Sequence, residues 1–333
     1  MTQRPDFEIS PRIIVGETAD VYFKRTIDIL RSERLNPAVT MEFFAGRAGL
    51  LCGINEALTL LSKVLREEDS EVWALPEGED IGRGEVALRV KAPYVSFGLY
   101  ETAILGMLSQ ASGWATAAKE CVAAAEDTPV ISFGARHVHP NVAGILDYAA
   151  VVGGCVSCSS SLGARLAGVL PSGTMPHALI IVIGDTVKAT VAFDRHMPPE
   201  VPRISLVDTF KDEAEESLNV ARALGEKLRG VRLDTPAERG GVTPDLVKEV
   251  RARLDLAGFK HLEIFVSGGV TPQRIRQFKE ADAPVDTYGV GSYISSAPPI
   301  DFAADIHEIE NRPVAKRGRI PGPTPSPRLV RIT

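Results

Sequence analysis

Leu262-Glu263-Ile264-Phe265-Val266-Ser267-Gly268-Gly269-Val270-Thr271-Pro272 is an apolar run that ends in a serine and two glycines and then opens a helix at about Pro272. Glycines at such a junction let backbone N–H groups approach a phosphate beside a helix N-terminus. The same rhythm extends outward over residues 129–291. Apolar runs at 130–133, 149–152, 204–207, 230–233 and 285–290 end in Gly134-Ala135-Arg136-His137, Gly153-Gly154, Asp208-Thr209, Asp234-Thr235 and Gly289-Val290-Gly291, with helix-like stretches between them. Apolar runs alternating with helices predict β/α units around a parallel sheet. In such folds the C-terminal strand ends converge on one face, and that face carries the chemistry. Fixed charges and anion-cradling glycines at these ends suit a small anionic, phosphorylated substrate.

The flanking regions read differently. Residues 38–45 look like a strand, 49–65 have helical spacing, and 72–75 and 85–90 alternate like strands around the turn Pro76-Glu77-Gly78-Glu79-Asp80. Residues 97–125 are small and apolar and predict a long helix with a break at Gly113. From Pro313 to Pro327 the prolines and the basic Lys316, Arg317 and Arg319 predict an extended, solvated tail.

With 24% charged and 44% hydrophobic residues, the composition is that of an ordinary soluble globular protein. A net charge of −6 gives no general attraction to nucleic acid or to an anionic membrane. No apolar stretch is long enough to span a bilayer, and the first six residues lack the apolar core of a signal peptide, so a cytoplasmic location is expected. Four cysteines do not make a disulfide framework in a chain this size. Cys155-Val156-Ser157-Cys158 has a spacing that could share a zinc, but small buried residues near a strand end is the reading adopted, and no metal ligand set is assigned to the protein.

Candidate site residues follow from the strand ends. His177, after Pro176, falls in the first turn of a helix expected to run to Asp185, where backbone N–H groups favour an anion. A helix-start histidine packed against its neighbours fits the same residues. Strand alternation puts Arg232 and Asp234 on one face, either as a fork for a carboxylate or phosphate beside a sugar-binding acid, or as a structural ion pair. Gly268-Gly269 could be only a tight turn, but Gly289-Val290-Gly291 repeats the device one strand later, as in barrels that bind phosphate esters.

Together, Phe133-Gly134-Ala135-Arg136-His137, Ser172-Gly173-Thr174-Met175-Pro176-His177, Val207-Asp208-Thr209, Arg232-Leu233-Asp234, Ser267-Gly268-Gly269 and Gly289-Val290-Gly291-Ser292 resemble the ordered motifs of nicotinate phosphoribosyltransferases. Asp20-Val21-Tyr22-Phe23-Lys24-Arg25-Thr26 and Glu101-Thr102 extend the resemblance, which reaches from near the start to about residue 295. It implies a type II phosphoribosyltransferase fold: an irregular, incomplete α/β barrel over residues 119–291, with an α+β lobe from residues 1–118 joined by 292–333. It implies nicotinate and phosphoribosyl pyrophosphate as substrates, Mg2+ and ATP as cofactor and cosubstrate, and nicotinate mononucleotide and pyrophosphate as products. Phe133 would stack on the pyridine ring, with Tyr22 of a second subunit on its other face in a homodimer or higher homo-oligomer. Arg232 would meet the nicotinate carboxylate, Arg136 the phosphate or ring, and His177 would be phosphorylated by ATP. Asp208 and Asp234 would face ribose and pyrophosphate, and Gly268, Gly269, Gly289 and Gly291 the 5′-phosphate; Ser267 and His137 join the substrate-binding set, and whether His137 is catalytic or structural stays open.

The nicotinamide enzyme places an aspartate after the second barrel strand, and no acidic residue occurs here between Asp147 and Asp185, so the acid is expected over the amide. Quinolinate phosphoribosyltransferase, which shares the architecture, ranks second because a diacid needs more cations than Arg136, His137 and Arg232. A non-catalytic phosphoribosyl-binding scaffold would be marked by loss of His177, Arg232 or Asp234, and all three are present.

Overall fold

The computed structural model describes residues 5–332 and resolves into two compact units, Met1–Thr116 with Ala297–Thr333, and Ala117–Ser296. Of the segment read for a signal peptide, residues 1–4 lie outside the described part. Among the described residues no helix is long and apolar enough to cross a membrane.

The first unit is built on an antiparallel sheet ordered Arg312–Pro313, Phe302–Ile309, Ala38–Ala45, Val86–Pro93, Glu71–Ala74, Val330–Arg331. Ala38–Ala45 is paired on both edges and buried along most of its length, which suits its run of Val39, Met41, Phe43 and Ala45. Helix Ile54–Val64 lays Ile54, Leu58 and Leu61 into the same core. It begins later than residue 49, because Gly49–Leu50 pairs with Asp80–Ile81 and Gly53 then turns the chain with φ of 94°. A Cβ on Gly53 would lie 2.4 Å from the Met107 carbonyl oxygen, so both conformation and space require glycine there. The Glu77 carboxylate accepts from the Gly53 and Asn55 backbone N–H groups at 2.9 Å and so caps this helix start. Helix Glu101–Ala125 runs through Gly113 without the expected break. There the missing side chain admits the Pro298 carbonyl oxygen, 2.5 Å from where a Cβ would stand.

The basic tail is anchored, contrary to expectation. Lys316 and Arg319 both bind Asp305, at 2.6 and 2.8 Å. The Thr324 N–H donates to Glu42, a fully buried acid that also accepts from Arg89 at 2.7 Å. Buried acids need such partners, and here the tail supplies them.

The second unit holds six parallel strands in the order Ser157–Cys158, Val130–Ser132, Thr287–Val290, Glu263–Val266, Gly230–Leu233, Ile204–Leu206. The first and last of these do not pair, so the sheet is an incomplete α/β barrel, as expected. Five runs match expected strands within two residues. The sixth does not: residues 149–152 end the helix Pro140–Val152, with Tyr148, Ala149 and Ala150 buried. A short apolar run cannot by its periodicity separate a buried helix from a strand. The strand itself is the two-residue Ser157–Cys158, held by the pairs Ile131↔Ser157 and Ser132↔Cys158. Helix His177–Ile183 stops short of Asp185 because Gly184 turns with φ of 81°, and Asp185 then caps the helix Thr186–His196 through the Lys188 N–H at 2.7 Å.

Candidate active site

At the C-terminal ends of the parallel strands the side chains form one connected constellation. Arg232 and Asp234 share a face by strand alternation and pair at 3.0 Å. The same guanidinium donates through Nε to Ser267 Oγ at 2.8 Å and through Nη1 to Thr174 Oγ1 at 3.0 Å. Three of its five N–H donors can be engaged at once only because the group is a planar fork. Its carbon stands 5.0 Å from the centroid of the Phe133 ring. Burial pulls the Arg232 guanidinium below its usual value, opposed by Asp234 and Asp208 and reinforced by the neighbouring Arg136.

The glycines fit around these groups. A Cβ on Gly289 would stand 2.4 Å from the Phe133 ring, and one on Gly291 2.9 Å from His137. Gly268 and Gly269 turn with φ of 82° and 62°, and Gly268 lies against the Asp234 carboxylate, which also accepts from Ser267 Oγ at 2.9 Å. Gly289 and Gly291 therefore owe their size to the aromatic rings they touch.

His177 is the first residue of its helix, and its Nε2 lies 3.2 and 3.3 Å from the two oxygens of Asp208. The Asp208 side chain is 1% exposed, and burial raises its carboxyl above the usual value; His177 opposes this shift and Asp234 adds to it. The two acids are therefore electrostatic neighbours. Arg136 is exposed, and His137 is pushed down by burial and then by Arg136. His139 plays a structural part, capping the helix Pro140–Val152 by accepting from the Asn141 N–H at 3.2 Å.

The structure thus brings together twelve of the expected residues: Phe133, Arg136, His137, His177, Asp208, Arg232, Asp234, Ser267, Gly268, Gly269, Gly289 and Gly291. Tyr22 belongs to the other unit, in the helix Val21–Ser32, with 55% of its surface exposed and its hydroxyl donating to Asp20 at 3.2 Å. Thr174 sits inside one of the sequence motifs without a role of its own, since only the fold reveals its bond to Arg232. Asp147 likewise escapes a reading of the sequence. It is fully buried and accepts from Ser132 Oγ at 2.9 Å, the Ser160 N–H at 2.7 Å and Ser159 Oγ at 3.4 Å. Cys155 and Cys158 are buried with raised thiol values, Cys158 reaching about 12. Among the described residues no group of three or more His, Cys, Asp or Glu could hold a metal.

Residues 114–305 match the family model for the quinolinate phosphoribosyl transferase C-terminal domain, and residues 20–112 that for its N-terminal domain. A crystal structure of nicotinate-nucleotide pyrophosphorylase from Pyrococcus furiosus is 45% identical, aligns over 97% of this chain and 82% of its own, and has a TM-score of 0.85. Human nicotinic acid phosphoribosyltransferase, 21% identical over 91% of this chain and 77% of its own, shares the fold with a TM-score of 0.74. Nicotinate phosphoribosyltransferase pncB2 of Mycobacterium tuberculosis is 35% identical over 70% of this chain and 50% of its own. The chain thus spans about half the length of the curated relatives it matches.

These matches correct the expectation of an ATP-coupled nicotinate phosphoribosyltransferase. Both domain models, in chain order, are those of quinolinate phosphoribosyl transferase, and the similar archaeal structure carries the pyrophosphorylase name. Asp147 brings a carboxylate to Ser159 and Ser160, just after the second strand, although it precedes that strand in sequence. The cations at these strand ends are still Arg136, His137 and Arg232, with Arg136 acting on both of the others. Type II architecture, both domain matches and the gathered strand-end site agree: the chain belongs to the quinolinate phosphoribosyltransferase family, the phosphoribosyltransferases of pyridine nucleotide synthesis.

Proposed function

We propose that this protein converts quinolinate and phosphoribosyl pyrophosphate to nicotinate mononucleotide, pyrophosphate and carbon dioxide. The observation that carries the reading is the ordered match of both quinolinate phosphoribosyl transferase domain models. Arg232, lying over the Phe133 ring and close enough to Arg136 to feel its charge, supports it. The pyridine nitrogen forms a bond to ribose C1 as the C1–O bond to pyrophosphate breaks. The ring carboxylate next to that nitrogen then leaves as carbon dioxide, and the electron pair left on carbon takes a proton from solvent. No protein nucleophile is needed, and catalysis is positioning and charge stabilisation.

In this assignment Phe133 seats the ring, Arg232 and Arg136 meet the carboxylates, and Ser267, Gly268 and Gly269 receive the 5′-phosphate. Asp234 and Asp208 face the oxocarbenium-like ribose, with His177 holding Asp208 in place. The neighbouring Asp208 and Asp234 carboxylates also offer the all-oxygen donors that suit magnesium, which keeps waters and substrate phosphates as its other ligands. Bound there, Mg2+ would neutralise charge on the departing pyrophosphate. Tyr22, exposed in the other unit, is assigned to the site of a second chain in a homodimer.

The test is a substrate panel. Purified protein with phosphoribosyl pyrophosphate and magnesium is offered quinolinate, nicotinate or nicotinamide, and pyrophosphate and carbon dioxide are measured. Equal release of both with quinolinate is the expected result. Pyrophosphate released only with nicotinate, or with no pyridine at all, overturns the proposal.

A further inference from the structure

We propose that Asp147 is a positioning residue for the pyridine-binding part of the site, acting through Ser132 on the turn that carries Phe133; this rests on the phosphoribosyl-transfer reading above. Asp147 lies in mid-helix and is fully buried. A carboxylate in such a place is expensive to desolvate, and an apolar residue of similar size would be at least as stabilising there. The acid is instead held by hydrogen-bond donors from two strand ends. Its Oδ1 accepts from Ser132 Oγ at 2.9 Å, at the end of strand Val130–Ser132. Its Oδ2 accepts from the Ser160 N–H at 2.7 Å and Ser159 Oγ at 3.4 Å, just past strand Ser157–Cys158.

Two further features make this a positioning device. First, the base of the side chain is closely packed: a Cβ on Gly163 would lie 2.4 Å from the Asp147 Cβ, so the helix Ser161–Ala167 passes directly against it. Second, the bond chain continues toward the site. Ser132 Oγ, while donating to Asp147, accepts from the Gly134 N–H at 3.4 Å. Phe133 lies between these two residues, its ring pressed against Gly289 and covered by the Arg232 guanidinium. On one side the turn is tied to Thr287–Val290 by three residue pairs and by the Phe133 N–H donating to the Val290 carbonyl at 2.7 Å, but on the other side Ser157–Cys158 adds only two pairs. Asp147 adds a constraint on that weakly paired side, and with it steadies the seat of the aromatic ring.

Steady-state kinetics of the full chain test this, varying quinolinate and phosphoribosyl pyrophosphate separately, with thermal unfolding measured in parallel. Ser132→Ala removes the relay and leaves the other two donors to Asp147. It should raise the KM for quinolinate about fivefold, the factor set by one buried hydrogen bond, with the KM for phosphoribosyl pyrophosphate unchanged and the unfolding temperature lowered by only a few degrees. Asp147→Asn should raise the quinolinate KM further. Parallel shifts in both KM values, or an unchanged quinolinate KM in Ser132→Ala, overturn the inference while leaving the proposed reaction intact. Absence of turnover by the wild-type chain with every pyridine overturns both. If Asp147→Asn does not fold, Ser132→Ala decides alone.

Discussion

Replacing Gly289 by alanine is the sharpest perturbation the site offers. The residue lies in the fully buried strand Thr287–Val290, and a methyl group there would stand 2.4 and 2.6 Å from two carbons of the Phe133 ring. Ordinary contact begins at 3.4 Å, so the ring must retreat by about 1 Å, since Ser267, at 3.2 Å, blocks relief on the other side. Overpacking of this kind costs about 1–3 kcal/mol in a well-packed core. Because Arg232 lies over the same ring, displacement reaches the guanidinium as well. A misplacement of about 1 Å in a positioning group lowers kcat/KM by on the order of a hundredfold. The assay pairs quinolinate kinetics with far-ultraviolet circular dichroism, to verify that the sheet is retained. A folded Gly289→Ala enzyme with wild-type kcat/KM would show that the Phe133 seat is irrelevant to turnover and refute the reasoning.

Two further expectations follow from other residues. Arg232→Lys keeps the charge but cannot bond Ser267, Thr174 and Asp234 together, so kcat/KM should fall about ten- to hundredfold; near wild-type kcat/KM in the lysine variant would show that the fork is not needed. In the first unit, burial first and then the neighbouring Glu77 raise the Glu56 carboxyl from 4.5 to about 7. The folded chain therefore retains a proton that the unfolded chain releases, so this stabilisation is full below about pH 4.5 and is lost as pH rises through about 7. Glu56→Gln should accordingly gain on the wild type by about 1–3 kcal/mol at pH 8 and by little at pH 4.5. A thermal-unfolding difference independent of pH would contradict the assignment.

Much of this molecule is legible in its sequence, and the illegible parts share a physical cause. The runs ending at Asp208, Asp234, Ser267 and Gly289 are rich in apolar residues because their strands are mostly buried, and such runs announce themselves. Ser157–Cys158 is two residues with no apolar pattern, so nothing local marks it, while Ala149 and Ala150 imitate a strand from inside a helix. The pair Arg232 and Asp234 follows from alternation within one strand. The bond from Arg232 to Thr174 spans 58 residues, and that from Glu42 to Thr324 spans 282, distances over which only the fold decides who meets whom. Asp147 misleads for the same reason. It precedes the second strand in the chain yet delivers its carboxylate just beyond that strand's end.

The short pairing of Val330–Arg331 with Glu71–Ala74 has a practical side. It covers the outer backbone groups of a strand that would otherwise be an open rim. Loss of this pairing would bare a ready template for another copy's backbone, favouring self-association without touching the strand-end chemistry.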